Sequence, residues 1–397
     1  MTNFSRIFEP KYIFAVLLAL SLMPALTGCG DDVARTKAKA STAFASGNFT
    51  AAIKLYTEVL EKDNEDLESL VMRTRSAIGI GDIALATKTI EMAERIAREE
   101  PNVAYLSAQV AFHAEDYKKA ISQFGFIAEN TSFTPQMRSL GWTGLGIVDM
   151  AMIVGAEPNV KRDSARVEFL KALRLDRRNA SARYHLGLLY RDAFGYEEAA
   201  QEQFEAYVYL ETSANPKEVS ARTKKVHRDL IPDLRDMINR RMASRLNTAV
   251  RDSNKAAALL KKGDEAWKKR NYKTARLRYE EAIAADPLSY PVAMALARSW
   301  AATDSSRNGM GKAYGYYRRA CELRPGSLAA FLAAGELAEK LGNWASAVEL
   351  YSRALATNPY DNAVLKGLVK ALTKSGLGKS ADVYRKYQSE LSAVSKQ

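Results

Sequence analysis

The chain has 397 residues, a formal net charge of +12 and 47% hydrophobic residues. That length holds two or three ordinary domains or one long repeat array, with enough apolar side chain to bury a sizeable core. Abundant Ala and Leu with only 11 Pro favour helices over sheets. The positive balance admits lipid headgroups, acidic proteins or polyanions as partners without choosing among them.

Residues 1–28 read as an export signal. Arg6 and Lys11 supply a charged start, and Tyr12–Leu22 (YIFAVLLALSL) is apolar apart from Ser21. The run falls short of the roughly 20 apolar residues that a membrane-spanning helix needs. Small residues then lead to Leu26-Thr27-Gly28-Cys29. This segment resembles the lipobox of bacterial lipoproteins. The resemblance implies that Cys29 is acylated, becomes the first mature residue and anchors the chain to membrane. Each buried CH₂ of an acyl chain contributes about 0.8 kcal/mol. Gly30 follows Cys29, and Asp appears only at positions 31 and 32. In enterobacterial lipoproteins an Asp directly after the Cys marks inner-membrane retention. The resemblance therefore implies a periplasm-facing protein of the cell envelope, with the outer membrane favoured. Cys321 is then left without a partner for an intrachain disulfide. It falls on a helix face expected to be buried.

One small-x-x-x-aromatic motif recurs along the chain: Ala52/Tyr56, Ala120/Phe124, Ala165/Phe169, Ala200/Phe204, Ala275/Tyr279, Ala313/Tyr317 and Ala347/Tyr351, with Ala86/Ile90 as a variant. The steps from Ala52 to Ala86, Ala86 to Ala120, Ala313 to Ala347 and Ala347 to Ala381 are each 34 residues. Leu186-Gly187-x-x-Tyr190 is in register, and Pro287, Pro325 and Pro359 each lie 12 residues after an alanine of the motif. The motif, the Pro positions and a period of about 34 residues resemble the tetratricopeptide repeat (TPR) family over roughly residues 33–390. The resemblance implies an all-α fold, a TPR α-solenoid in which helix-turn-helix repeats build a right-handed superhelix. A small residue lets two helices approach, and the aromatic four residues on shares its face and fills the gap. Gly or Asn at turns such as Gly47-Asn48 and Gly342-Asn343 accepts a left-handed backbone. No single pair holds enough core to fold alone, so pairs stack.

Helix pairs are expected at 33–62, 67–99, 102–130, 135–176, 180–212, 256–285, 290–324, 328–357 and 362–387. The domains read as a signal peptide at 1–28, an N-terminal array at 29–216, a basic helical linker or degenerate repeat at 217–255, and a C-terminal array with a polar cap at 256–397. Flexible spots are expected at Gly155–Arg162 and Thr303–Gly311. In the linker, Val226, Leu230, Leu234, Ile238, Met242, Leu246 and Val250 recur every four residues as a helical stripe, which Pro232 should break or kink. Lys217–Lys255 carries eleven Lys/Arg against five Asp/Glu, half of the chain's positive excess. It reads either as a helical hairpin with a solvated face or as a basic surface for anionic lipid or an acidic partner.

Chemical motifs fail on inspection. Asn308–Lys312 (NGMGK) lacks the first Gly and the final Ser/Thr of a phosphate loop. Gly141, Gly144 and Gly146 fall within a helical pattern and suit close packing. His113, His185 and His227 have no metal-ligand neighbour at helical spacing. No catalytic residue, metal or cofactor is expected, and an exported chain is an improbable nucleic-acid binder.

In the TPR family the first helix of each pair lines a concave groove. The family's groove positions fall here on Tyr105, Phe112, Tyr184, Arg191, Trp267, Lys268, Arg298, Lys340, Lys366, Lys370 and Lys374, with Phe44, Gln109 and Glu339 also in register. Aromatic anchors with basic edges suit a protein or peptide partner, including an acidic one. The chaperone-binding branch of the family clamps a C-terminal carboxylate. Lys37 matches that set, whereas Ser41 and Met72 stand where Asn is expected. The expected function is a membrane-anchored interaction scaffold or assembly factor of the bacterial cell envelope, for pilus, secretion, polysaccharide export or outer-membrane assembly. The alternatives are an adaptor for a cell-wall hydrolase and an enzyme with an unrecognised site.

Overall fold

The structure is a computed structural model that describes residues 30–153, 155, 157–214, 219–246 and 251–394. The expected signal 1–28, Cys29, Lys217 and Val250 lie outside the described residues. Among those described, every regular element is helical. They form two compact units that divide between His185 and Leu186.

The first unit runs through α1 (Gly30–Ala45), α2 (Phe49–Lys62), α3 (Leu67–Ile80), α4 (Ile83–Ala97), α5 (Pro101–His113), α6 (Tyr117–Glu129), α7 (Pro135–Ala151) and α8 (Pro158–Leu175) into the start of α9 (Ala180–Leu189). The second holds the end of α9, a π turn (Tyr190–Phe194), α10 (Glu197–Ala214), α11 (Ala221–Lys225), a second π turn (Val226–Leu230) and α12 (Ile231–Leu246). It continues with α13 (Ser253–Lys268), α14 (Tyr272–Ala285), α15 (Tyr290–Thr303), α16 (Arg307–Leu323), α17 (Leu328–Lys340), α18 (Trp344–Thr357), α19 (Asn362–Lys374) and α20 (Gly378–Val394). The division falls within α9. The sequence reading placed it at the basic segment 217–255, whose helices instead pack on α10 inside the second unit.

The repeat chemistry acts where its spacing puts it. Ala52, Ala86, Ala120, Ala165, Ala200, Ala275, Ala313, Ala347 and Ala381 are fully buried. After Ala120, Ala165, Ala200, Ala275 and Ala347 the aromatic four residues on presses on a glycine, which has no side chain. A Cβ at Gly263 would stand 2.4 Å from the Tyr279 ring, one at Gly187 2.7 Å from Phe204, and one at Gly146 2.6 Å from Phe169. Tyr351 is clamped on two sides, by Gly335 of its own pair and Gly367 of the next, where a Cβ would come within 2.7 and 2.5 Å. Gly141 and Gly144 accommodate α6 in the same way, against Ala128 and Phe124. Burying one such ring contributes about 2 kcal/mol.

Turns follow a shared plan. Asn48, Asp116, Asn271 and Asn343 cap the second helices, each side chain accepting from a backbone N–H three residues on. The residue before each cap takes the left-handed backbone, as Gly47 and Gly342 do at φ 77°. Glu115 and Arg270 do so at φ 59° with a Cβ present. The Asn is thus the cap and not the left-handed residue.

Three expectations are corrected. Pro232 neither breaks nor ends its helix. The π turn Val226–Leu230 widens the backbone just before it, and Ile231 N–H donates to the Val226 carbonyl five residues back. Val226, Ile231 and Leu234 are buried along this segment. The segment Thr303–Gly311 is not a loop: Ser306 caps α16 by accepting from Gly309 N–H at 3.1 Å, so Asn308–Lys312 is helical. Likewise Pro158 opens α8, which absorbs most of the expected insertion Gly155–Arg162.

Ala347→Arg should destabilise the second unit by about 3 kcal/mol or more, because it buries an unpaired charge where side chains interdigitate. Chemical denaturation followed by circular dichroism checks this. An unchanged midpoint would mean that Ala347 does not lie between helices.

Candidate functional site

The first helices of successive pairs lie side by side, α3 on α5 and α5 on α7 in the first unit, α13 on α15 and α17 on α19 in the second. Their shared face is the candidate site.

In the first unit this face contradicts the expected aromatic anchors. Tyr105 is 8% exposed and Phe112 is 6% exposed. Tyr105 sits edge-on to Phe124 at 5.8 Å, and Phe112 leans on Tyr117 at 5.9 Å. Burial pushes the Tyr105 hydroxyl well above the usual tyrosine range. Both rings are walls of the core and are not free anchors. Phe44 is buried too, edge-on to Phe49 at 5.3 Å. A sequence signal for this existed. The α5 segment PNVAYLSAQVAFH contains no Asp, Glu, Lys or Arg, and an uncharged helix of this kind is buried on most sides. Lys37, the one match to the carboxylate-clamp set, is spent on Asp66. Tyr184 is half-buried and edge-on to His185 at 5.1 Å.

In the second unit, Arg191 lies in the first π turn and forms a two-pronged pair with Asp192, at 2.5 and 2.8 Å. Trp267 is half-buried, its ring 4.7 Å from that of Tyr272. Lys268, Arg298 and Lys340 are exposed. Lys366, Lys370 and Lys374 are exposed along α19, spaced so that they share a face. Lys370, however, is bonded to the Glu339 carboxylate. That carboxylate also accepts from the Tyr351 hydroxyl at 2.9 Å. The Tyr279 hydroxyl donates to Asp264 at 2.8 Å in the same manner. Together with burial, these acceptors raise both phenols above the ordinary range.

These tyrosine–carboxylate contacts were missed in the sequence reading. Tyr in place of Phe in the repeat motif was the available signal, because a buried phenol needs a polar partner. Asp264, Arg298, Glu336 and Lys370 hold equivalent places on the four first helices, and their signs alternate. Acids are therefore interleaved with the expected cations of this face. Lys366 and Lys374, at one end, are the cations of the expected row with no ion pair among the described residues.

Among the described residues no three His, Cys, Asp or Glu side chains gather where they could hold a metal ion. No helix there is long and apolar enough to cross a membrane.

Tetratricopeptide-repeat profiles match residues 43–110, 260–327 and 328–371. These stretches are tetratricopeptide repeats, and the pairs of each unit stack as a TPR α-solenoid. Among solved structures the chain is similar to the MamA protein, at 20% identity and TM-score 0.34, over 48% of this chain and 98% of that one. It is similar to a chain of the APC/C hetero-tetramer Cut9-Hcn1 at 15% identity and TM-score 0.35, over 92% of this chain and 80% of that one. A third similarity, at 22% identity and TM-score 0.29, covers 32% of this chain and 98% of the first TPR of Spaghetti (RPAP3), solved bound to the HSP90 peptide SRMEEVD. A search of curated protein sequences finds no match.

Cys321 is 6% exposed, and burial pushes its thiol up to about 12. Only the thiolate is the nucleophile. Labelling of native protein with a thiol reagent at pH 8 should therefore be slow, and denaturant should make it fast. Rapid stoichiometric labelling of the native chain would show that α16 and α18 do not shield this residue.

Proposed function

We propose that the chain is a lipid-anchored interaction scaffold of the bacterial cell envelope, holding a protein or peptide partner against the first helices of its TPR units. The repeats themselves carry this reading. They build long shared faces of paired polar side chains, and proteins made of such repeats hold other proteins. The anchor rests on the resemblance of Leu26-Thr27-Gly28-Cys29 to a lipobox, and the periplasm-facing, outer-membrane placement rests on Gly30 after it. An assembly factor for an envelope machine fits a chain that presents two such units.

Two experiments test the reading. Cys29→Ala should abolish acylation and release the protein from membranes, as read by mass spectrometry and fractionation. An unchanged mass and unchanged membrane association would refute the anchor. Affinity capture with crosslinking from envelope membranes should recover a defined partner, and recovery of random neighbours alone would refute the scaffold. With that partner in hand, Lys366→Glu with Lys374→Glu should slow association, and the effect should shrink at high salt. Trp267→Ala should mainly speed dissociation with little salt dependence. Binding kinetics at two salt concentrations distinguish these outcomes.

A further inference from the structure

Ser41, Arg75 and Gln109 are spaced 34 residues apart and hold the same repeat position on α1, α3 and α5. Arg75 is the unusual member of this row. It is 7% exposed, and its Nε and Nη2 groups have no hydrogen-bond partner among the described residues. Its Nη1 faces only the Met72 sulfur, at 3.9 Å. A guanidinium does not escape burial by losing its proton. An unpaired buried cation weakens the fold, and an apolar side chain of similar volume would pack there without that cost.

The nearby polar groups are committed elsewhere. Glu100 caps α5, accepting from Val103 N–H and from the Asn102 amide, both at 2.8 Å. The Tyr56 hydroxyl lies 3.1 Å from Ser41 Oγ. Asp66 is held by Lys37. Tyr105 is the side chain with the strongest influence on Arg75 and, being neutral, adds an O–H. Gln109 stands one turn further along the same face of α5 and adds an amide N–H.

We propose that Arg75 receives a carboxylate of an extended peptide lying across α1, α3 and α5, with Tyr105 and Gln109 as supporting donors. The proposal rests on the reading of the first-helix face as the partner groove. Nε and Nη2 form one edge of a planar fork, which matches the two oxygens of a carboxylate. Charge selects the same group. Lys37 is held by Asp66, which leaves Arg75 as the neighbouring cation with no ion pair among the described residues, and the nearby Glu68 and Glu100 carboxylates weigh against any ligand with more than one negative charge. A doubly charged phosphate would remain uncompensated. Met72 is half-buried, and its unbranched thioether swings aside at low cost to admit the ligand. These residues differ from the clamp set of the chaperone-binding branch, which is incomplete here.

The test is a bead library of random octapeptides, made once with free C-termini and once amidated, screened against the full mature chain. Enriched peptides should share a carboxylate at one fixed place. Retention in the amidated library would assign it to an Asp or Glu side chain, and loss there to the C-terminus. Arg75→Met should weaken the best peptide at least tenfold, as should replacing the peptide's carboxylate by an amide. The double change should cost little more than either alone. Arg75→Met should also melt at or above the wild-type temperature. Gln109→Leu should weaken binding several-fold and serves as the second variant. Enrichment without a carboxylate preference, or equal affinity for wild type and Arg75→Met, would overturn the assignment and leave the groove reading standing, with Arg75 satisfied by a buried water. No enrichment in either library would overturn both.

Discussion

Each unit depends on one contact: an aromatic ring laid against a backbone position without a side chain. Tyr279 on Gly263, Phe204 on Gly187 and Tyr351 on Gly335 are the same contact repeated. It sets how closely the two helices of a pair approach, and so how deeply the alanine one turn before the ring is buried. Caps and turns then need only deliver the second helix to that distance. Packing at this density tolerates no added methyl group without displacement of a neighbour. The residues of this contact are accordingly the least negotiable in the fold.

The polar consequence follows from the choice of Tyr at some of these places. A Phe ring ends in carbon, whereas a Tyr ring carries a hydroxyl to the face where the first helices lie. Asp264 and Glu339 accept those hydroxyls, and Glu339 also binds Lys370. Core and groove are therefore linked through single side chains. The groove's charge pattern is partly an outcome of how the core is closed. This accounts for the carboxylates interleaved with the lysines of that face.

The pair architecture was legible because spacing reports angle. Residues 34 apart share a repeat position, and residues four apart share a helix face. Depth is harder to read, because it depends on how many neighbours surround a helix. Tyr105 and Phe112 were read as groove anchors, but they are buried, since α5 is covered on most sides. Arg75 was hidden for the same reason: a charged residue reads as solvated until its neighbours are in place. Pro232 shows a different limit. A missing N–H removes one hydrogen bond, but the backbone can widen locally and continue, and sequence alone does not choose between a break and a π turn.

Tyr351 belongs to two repeats at once. It closes its own pair through Gly335 and docks the next through Gly367. In a stack held only by neighbour contacts, the strength of the shared contact relative to each pair's own stability sets how many repeats melt together. A ring shared in this way makes the coupling between adjacent pairs comparable to the bond within a pair. The ring thus ties α17, α18 and α19 into one unit of packing, and loosening of α19 removes one wall of the pocket that holds the α17–α18 pair together.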